Sequence, residues 1–252
     1  MLKQLQDKKV IFFDVGYTLE MPASGDWMFT NLFYKEAGDR IKKQSNTKIQ
    51  TAAEAGLQFL SKNHLVTTVE AEVRQFFAYY SMISDALDLD LSEEQRENIA
   101  RDRALNMDNY ILYPGVYEVL EKLSKTHKLG IISDTWPSME RRLEHSGISH
   151  FFSFMTCSCY LGVFKPNSRM YLDALQKSGV PATMTVFIDD SPRNLEGAAA
   201  LGIMPILIAA NPASDVETQY LKIHSLNDLI QEHLEEDIKC TLDNGHLNFR
   251  ES

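Results

Sequence analysis

Five short runs of the chain are apolar almost throughout: "KVIFFDV" (residues 9–15), "KLGIISD" (128–134), "FFSFMTC" (151–157), "TVFIDD" (185–190) and "MPILIA" (204–209). A strand with one face in water alternates apolar and polar residues; runs without alternation belong to strands covered on both faces. Helical patterns separate the last four runs, with Pro at the start and Gly at the end of each pattern. Pro137 and Gly147 bracket one, Pro192 and Gly202 bracket another, and Gly179 with Pro181 closes the one between them. Strand–helix alternation of this kind predicts an α/β fold with a parallel sheet and right-handed crossovers.

The region from Met21 to Met107 breaks this rhythm. It holds no convincing strand, but it has helical periodicity in "VRQFFAYYSMISDAL" and two capping-box signatures, "TTVE" at Thr67–Glu70 and "SEEQ" at Ser92–Gln95. This pattern predicts a small α-helical bundle inserted after the first strand, with re-entry at "YPGVYEVLEKL", where Pro114-Gly115 is the turn before a helix. The expected organisation is a core of residues 1–20 and 108–235, a helical insertion of 21–107 and a polar tail of 236–252. At 252 residues and 44% hydrophobic the chain can fill such a core.

Charge and cysteine content narrow the function. A net charge of −10 argues against broad nucleic-acid or anionic-membrane binding, which needs clustered Lys and Arg. Three cysteines, Cys157, Cys159 and Cys240, make no disulfide framework. "MLKQLQDKKV" lacks the apolar core of a signal peptide, and no run approaches the roughly 20 apolar residues of a membrane span. The expectation is a cytoplasmic protein. Cys157 and Cys159, placed on one strand face, are expected in core packing rather than in a metal site.

In open α/β sheets the ligand site lies beyond the carboxyl ends of the strands. Asp14 ends the first run, Ser133-Asp134 the second and Asp189-Asp190 the fourth, while Lys165-Pro166 follows the third. Two acidic ends, a hydroxyl and an ammonium would converge on one crevice. Phosphoryl transfer from a monoester needs that set. Two carboxylates facing a phosphate dianion repel it unless a cation such as Mg²⁺, held by Asp14 and Asp190, intervenes. Asp14 would attack phosphorus, Ser133 would donate to a phosphate oxygen and Lys165 would neutralise charge on the transferring group. Thr18, Ser133, Asp134 and Lys165 form the candidate substrate-binding set. Adjacent Asp189 and Asp190 point to opposite sides of a strand, so only one is a direct ligand.

The ordered set "FFDVGYT", "IISDT", "KP" and "FIDDSPRN" resembles the four motifs of the haloacid dehalogenase superfamily of hydrolases. The resemblance covers Lys9 to about Leu234 and includes members with a helical cap inserted after the first motif. It implies a Rossmann-like core, a cap over the site, Mg²⁺ dependence and a small phosphorylated metabolite as substrate. It assigns Asp14 as nucleophile, Ser133 as phosphate ligand, Lys165 as charge stabiliser and Asp190 as metal ligand. It also gives the metal the backbone carbonyl of Gly16. Asp189 and Asn194 are then supporting residues around the metal.

The chain departs from the pattern at Gly16, where family phosphatases usually carry a second Asp that protonates the leaving oxygen. General acid–base help of that kind is worth about 10²–10⁴-fold. Three outcomes fit: a substrate whose leaving group departs easily, a proton donor from elsewhere (Glu20, Asp26 or a cap residue), or a weak or silent phospho-ligand-binding protein. Dehalogenation by the same Asp ranks lower, because it needs no metal and leaves Asp190 with less purpose. Plainer readings stand beside these. Ser133 could cap the helix that follows, Asn194 could cap its own, and Trp27 with Met28 could line the pocket or fill the bundle core.

Overall fold

The computed structural model describes residues 1–230; the expected tail, 236–252, and Cys240 lie outside them. The strands are β1 (Val10–Phe13), β2 (Glu20–Pro22), β3 (Tyr110–Leu112), β4 (Lys128–Ser133), β5 (Phe152–Cys157), β6 (Thr185–Asp189), β7 (Met204–Ile208) and β8 (Leu221–Ile223). Six of them form one parallel sheet in the order β5-β4-β1-β6-β7-β8. This is the order of a doubly wound Rossmann-like sheet, and its direction reverses between β1 and β6.

The uninterrupted apolar runs have a direct explanation in the two faces of this sheet. Ile11 and Phe13 of β1 point with Ile131, Val186, Ile188 and Ile206 toward one helical layer. That layer is α6 (Val116–Ser124), burying Val116, Val119, Leu120 and Leu123, and α7 (Ser138–His145), burying Met139 and Leu143. Val10 and Phe12 point the other way with Ile132, Phe187 and Leu207. They meet Met170, Tyr171 and Ala174 of α9 (Ser168–Ser178), and Leu195 and Ala198 of α10 (Pro192–Ala199). Each fully buried Leu, Ile or Phe is worth roughly 1.5–3 kcal/mol, so a central strand buried on both faces anchors the fold.

Between β2 and β3 the chain builds α1 (Asn31–Ala37), α2 (Asp39–Lys42), α3 (Asn46–Lys62), α4 (Val69–Ala86) and α5 (Glu93–Leu105). Phe33, Phe76, Tyr79, Tyr80, Ile83 and Ile99 form a separate core for this helical insertion. The Ser92–Gln95 capping box is present with both of its hydrogen bonds. The one expected at Thr67–Glu70 is not. Thr68, one residue later, caps α4 by accepting from Ala71 N. The insertion also begins and ends with a strand pair that the sequence reading lacked: β2 and β3 are antiparallel, three residues each, and too short to show alternation. β8 escaped notice for the same reason. Cys159 belongs to the four-residue helix α8 (Ser158–Leu161), so the two buried thiols do not share a strand face.

Gly130 marks the tightest approach in the sheet: a Cβ there would collide with the Phe154 ring of the neighbouring strand. Overpacking of this type costs about 1–3 kcal/mol. Gly130→Ala is therefore expected to lower unfolding free energy by that amount in urea titration, with the slope unchanged.

Candidate active site

Asp14 follows β1 directly and its N–H still bonds to Ile188 O at 2.9 Å, so the β1–β6 ladder delivers the carboxylate to the reversal point of the sheet. The next turn is tight. Val15 O accepts from the N–H groups of Thr18, Leu19 and Glu20, and Tyr17 sits at φ 53°, a left-handed conformation unusual for a bulky residue. Lys165 enters from the loop before α9. Its ammonium lies 2.8 Å from Asp14 Oδ1 and 2.7 Å from Asp189 Oδ2, and it also donates to Ile132 O at 3.3 Å. Burial alone would depress its pKa, but Asp14 and Asp189 outweigh burial and hold it far above the usual lysine range.

Asp189 is saturated: besides Lys165, Ser191 N donates to Oδ1 at 2.8 Å and Asn194 Nδ2 reaches both oxygens, at 3.0 and 3.1 Å. Asp190 turns the other way. Ser214 Oγ donates to its Oδ2 at 2.9 Å, and burial, then Asp14 and Asp189, push its pKa up to about 7. Asp14, Asp189 and Asp190 each offer an oxygen within 4.8 Å of one another. Among the described residues the Lys165 ammonium is the one group that reaches an oxygen of Asp14, and no hydrogen bond reaches Oδ1 of Asp190. Asp134 accepts the Lys165 N–H at 2.9 Å, and its pKa rises to about 6, chiefly through burial.

A cavity of about 240 Å³ opens over this cluster, lined by Asp14, Gly16, Tyr17, Ser133, Asp134, Thr135 and Asp190 on the sheet side. Trp27, Met28 and Arg103 close it from the insertion side, with Trp136 and Arg142 from the loop before α7 and from α7 itself. Asp14, Gly16, Ser133, Asp134 and Asp190 thus share one cavity, with Lys165, Asp189 and Asn194 bonded behind them. Thr18 does not join them: it is buried and lines a different cavity with Tyr113 and Asn227. Glu20, 2.9 Å from Arg142, and Asp26, which accepts from Met28 N and Phe29 N, are not among the lining residues. Ser133 does not cap α7, whose N-cap is Pro137, and Asn194 lies inside α10, whose N-cap is Ser191.

Arg103, Trp136 and Arg142 were not singled out from the sequence. The available signal was a charged residue inside an apolar stripe. Arg103 falls beside Ile99, Ala100 and Ala104 on the buried face of α5, and Arg142 beside Met139 and Leu143 on α7. Trp27 matters through Gly16. A Cβ at Gly16 would sit 3.1 Å from the Trp27 ring, so the indole fills the space a side chain at position 16 would need.

A parallel six-stranded sheet with a helical insertion after β1 and a polar cluster at its reversal point defines a Rossmann-like α/β scaffold with a candidate site at its strand ends. The chain belongs to the haloacid dehalogenase-like hydrolase family, whose model matches residues 41–208. It is similar to the GMP/IMP nucleotidase YrfG of Escherichia coli (strain K12), 35% identical over 88 residues, which are 34% of this chain and 40% of that protein. It is also similar to the glyceraldehyde 3-phosphate phosphatase of Methanopyrus kandleri, 29% identical over 108 residues, 42% and 46% of the two chains. The matched stretches therefore span less than half of these relatives. Among solved structures, a haloacid dehalogenase-like family hydrolase from Xanthomonas campestris superposes with a TM-score of 0.64 at 15% identity, covering 94% and 95% of the two chains. No helix of the described residues is long and apolar enough to cross a membrane.

His64 ties the insertion to this region. Its Nε2 is 2.6 Å from Ser158 Oγ, which itself accepts from Thr135 N, and its ring stacks on Phe164 and meets Trp136 edge-on. Burial lowers its pKa from 6.5 to about 4. The unfolded chain therefore binds a proton that the folded chain refuses between those values, and the resulting stability is lost as pH falls from 6.5 toward 4. A His64→Asn variant removes this dependence. Against it, the native protein is expected to lose up to about 3 kcal/mol over that window in denaturant titrations.

Proposed function

We propose that the chain is a Mg²⁺-dependent phosphatase that hydrolyses a small phosphate monoester through an aspartyl-phosphate on Asp14. The observation that carries this reading is the placement of Asp14 against Lys165 through one oxygen, on a cavity shared with Asp190 and Ser133. Its substrate class, a small phosphorylated metabolite, agrees with the phosphatase and nucleotidase names of the relatives.

The donor set suits a hard, oxygen-seeking cation: three clustered carboxylates against one ammonium, with open lone pairs on Asp14 and Asp190. Asp14, Asp190 and the Gly16 carbonyl would hold Mg²⁺, and Asp189, already saturated, would hold Lys165 and the start of α10. When bound, the ion supplies charge neutralisation between the carboxylates and the phosphate. Asp14 attacks phosphorus as the ester P–O bond breaks and the leaving oxygen departs with the bonding pair. Ser133, whose hydroxyl makes no hydrogen bond among the described residues, donates to a phosphate oxygen. Lys165 keeps Asp14 ionised and oriented and offsets charge on the transferring group. Water then cleaves the aspartyl-phosphate and restores the carboxylate. The α1–α5 insertion, read as a cap of residues 21–107, excludes bulk water over the core of 1–20 and 108–235.

Gly16 and Trp27 together shape the choice of substrate. With the indole in the place of an acid, no side chain at position 16 can protonate the leaving group, so substrates with self-sufficient leaving groups are favoured. Anomeric sugar phosphates and acyl phosphates are of this type. The same indole supports a second reading, a phospho-ligand-binding protein with little turnover. Dehalogenation stays below both, because it gives the three clustered carboxylates no role.

Phosphate release is expected to require Mg²⁺ and to fall at least 10³-fold in Asp14→Asn; release that survives both would sink the phosphatase reading, and its absence across a metabolite panel selects the binding protein. Sugar 1-phosphates are expected to turn over faster than sugar 6-phosphates. Gly16→Asp alone brings its Cβ to 3.1 Å from the Trp27 ring, whereas Gly16→Asp with Trp27→Ala should raise 6-phosphate turnover at least tenfold, within the range of general acid help. Steady-state kinetics on the paired substrates decides both points.

A further inference from the structure

The cavity wall facing Asp14 carries two buried guanidinium groups in different electrostatic positions. Arg142 is paired with Glu20 Oε1 at 2.9 Å. Arg103, only 3% exposed, has a looser ion pair. Its nearest carboxylate oxygen, Glu72 Oε1, is 3.7 Å away and already accepts from Ser138 Oγ at 2.7 Å, while Glu72 Oε2 accepts from Ser138 N. Of the five N–H donors of a guanidinium, Arg103 gives one a partner among the described residues, the Tyr110 hydroxyl at 3.0 Å. Its Nε has none. The rings of Phe76 and Trp136, 4.1 and 5.3 Å from the guanidinium carbon, fix the group in place without satisfying its donors. A buried cation with unmet donors at a cavity wall is unfavourable unless a ligand completes it.

We propose that Arg103 is a specificity-determining residue, and that it reads a carboxylate on the leaving group of a short phosphate monoester. This rests on the phosphatase reading above and names its substrate class. Three observations favour the class. The cavity, about 240 Å³, lies below the roughly 300–1,000 Å³ of pockets that hold drug-sized ligands, so the group beyond the phosphate is small. A planar guanidinium fork matches a carboxylate in two parallel hydrogen bonds. Asp14, Asp134, Asp189 and Asp190 already crowd the phosphate end against the single Lys165, which favours a monoanion over a second phosphate.

The test compares phosphoglycolate with ethyl phosphate, which share the ester chain and differ in the carboxylate, and adds GMP as a bulky substrate. Values of kcat/KM are measured for the native enzyme, Arg103→Gln and Arg103→Lys. Calorimetry with Mg²⁺ on Asp14→Asn measures binding of the same three compounds without turnover. The native enzyme should prefer phosphoglycolate over ethyl phosphate at least tenfold, as charge-assisted hydrogen bonds imply. Arg103→Gln should bring the ratio near one. Arg103→Lys, which keeps the charge and loses the fork, should reduce it several-fold, and it carries the test if the Gln variant does not fold. Because both esters share the catalytic machinery, general damage to the enzyme lowers both rates and leaves the ratio in place.

A native ratio near one, a ratio that ignores both substitutions, or GMP preferred over phosphoglycolate overturns the proposal. Equal hydrolysis of the two small esters would leave the phosphatase standing and remove the carboxylate. Selective phosphoglycolate binding to Asp14→Asn, with no phosphate released by the native protein, would uphold the carboxylate and remove the phosphatase.

Discussion

The site depends on one buried ammonium. Lys165 stands between Asp14 and Asp189, at 2.8 and 2.7 Å, where the sheet reverses direction and two strand ends bring their acids together. Taking three charges out of water is costly, and attraction offsets that cost only when contacts are short and the remaining lone pairs are used. Asp189 meets both conditions through Ser191 and Asn194. Asp14 meets only the first. The same arrangement that holds the loop thus leaves part of the Asp14 carboxylate open to the cavity.

The insertion is fastened to the core by polar contacts that are themselves buried. Glu72 of α4 accepts from both the N–H and the hydroxyl of Ser138, doing for the first turn of α7 what its own N-cap, Pro137, does not. Trp136 donates to Gln75 at 2.7 Å, and His64 meets Ser158. One of these bonds is made by Trp136, which lines the cavity, so the shape of the pocket and the seating of α4 are linked. Any movement that opens the site must break hydrogen bonds in a dry environment, where unpaired groups are expensive.

Gly16 gains its meaning from the same closure. Its lack of a side chain reads in isolation as the loss of an acid. In the folded chain it is also the space into which the Trp27 indole fits, and Trp27 in turn stacks on Tyr110 and meets Tyr17 edge-on. An aromatic wall stands two residues after Asp14, against the backbone of Gly16.

The sequence alone determined the sheet and the polar residues at its strand ends. Apolar runs without alternation, punctuated by Pro and Gly, are a local signal because burial on both faces keeps polar residues to the ends of β4 and β6 and out of β1. The four motifs marked Asp14, Ser133 and Asp190 because each stands at a strand end, where parallel strands finish on one side, and Lys165 because its loop returns to that side after β5 and α8. Only the tertiary structure decided the opposite wall. Arg103, Trp136 and Arg142 come from helices and loops whose packing on the core follows no repeat. Three-residue strands are too short to show a period, and Thr18 turned to another cavity because one tight turn, with Tyr17 left-handed, redirected it. Local patterns report what a residue's own element needs; which elements face each other across a cavity is settled by packing between them, and that leaves no mark on any single stretch of chain.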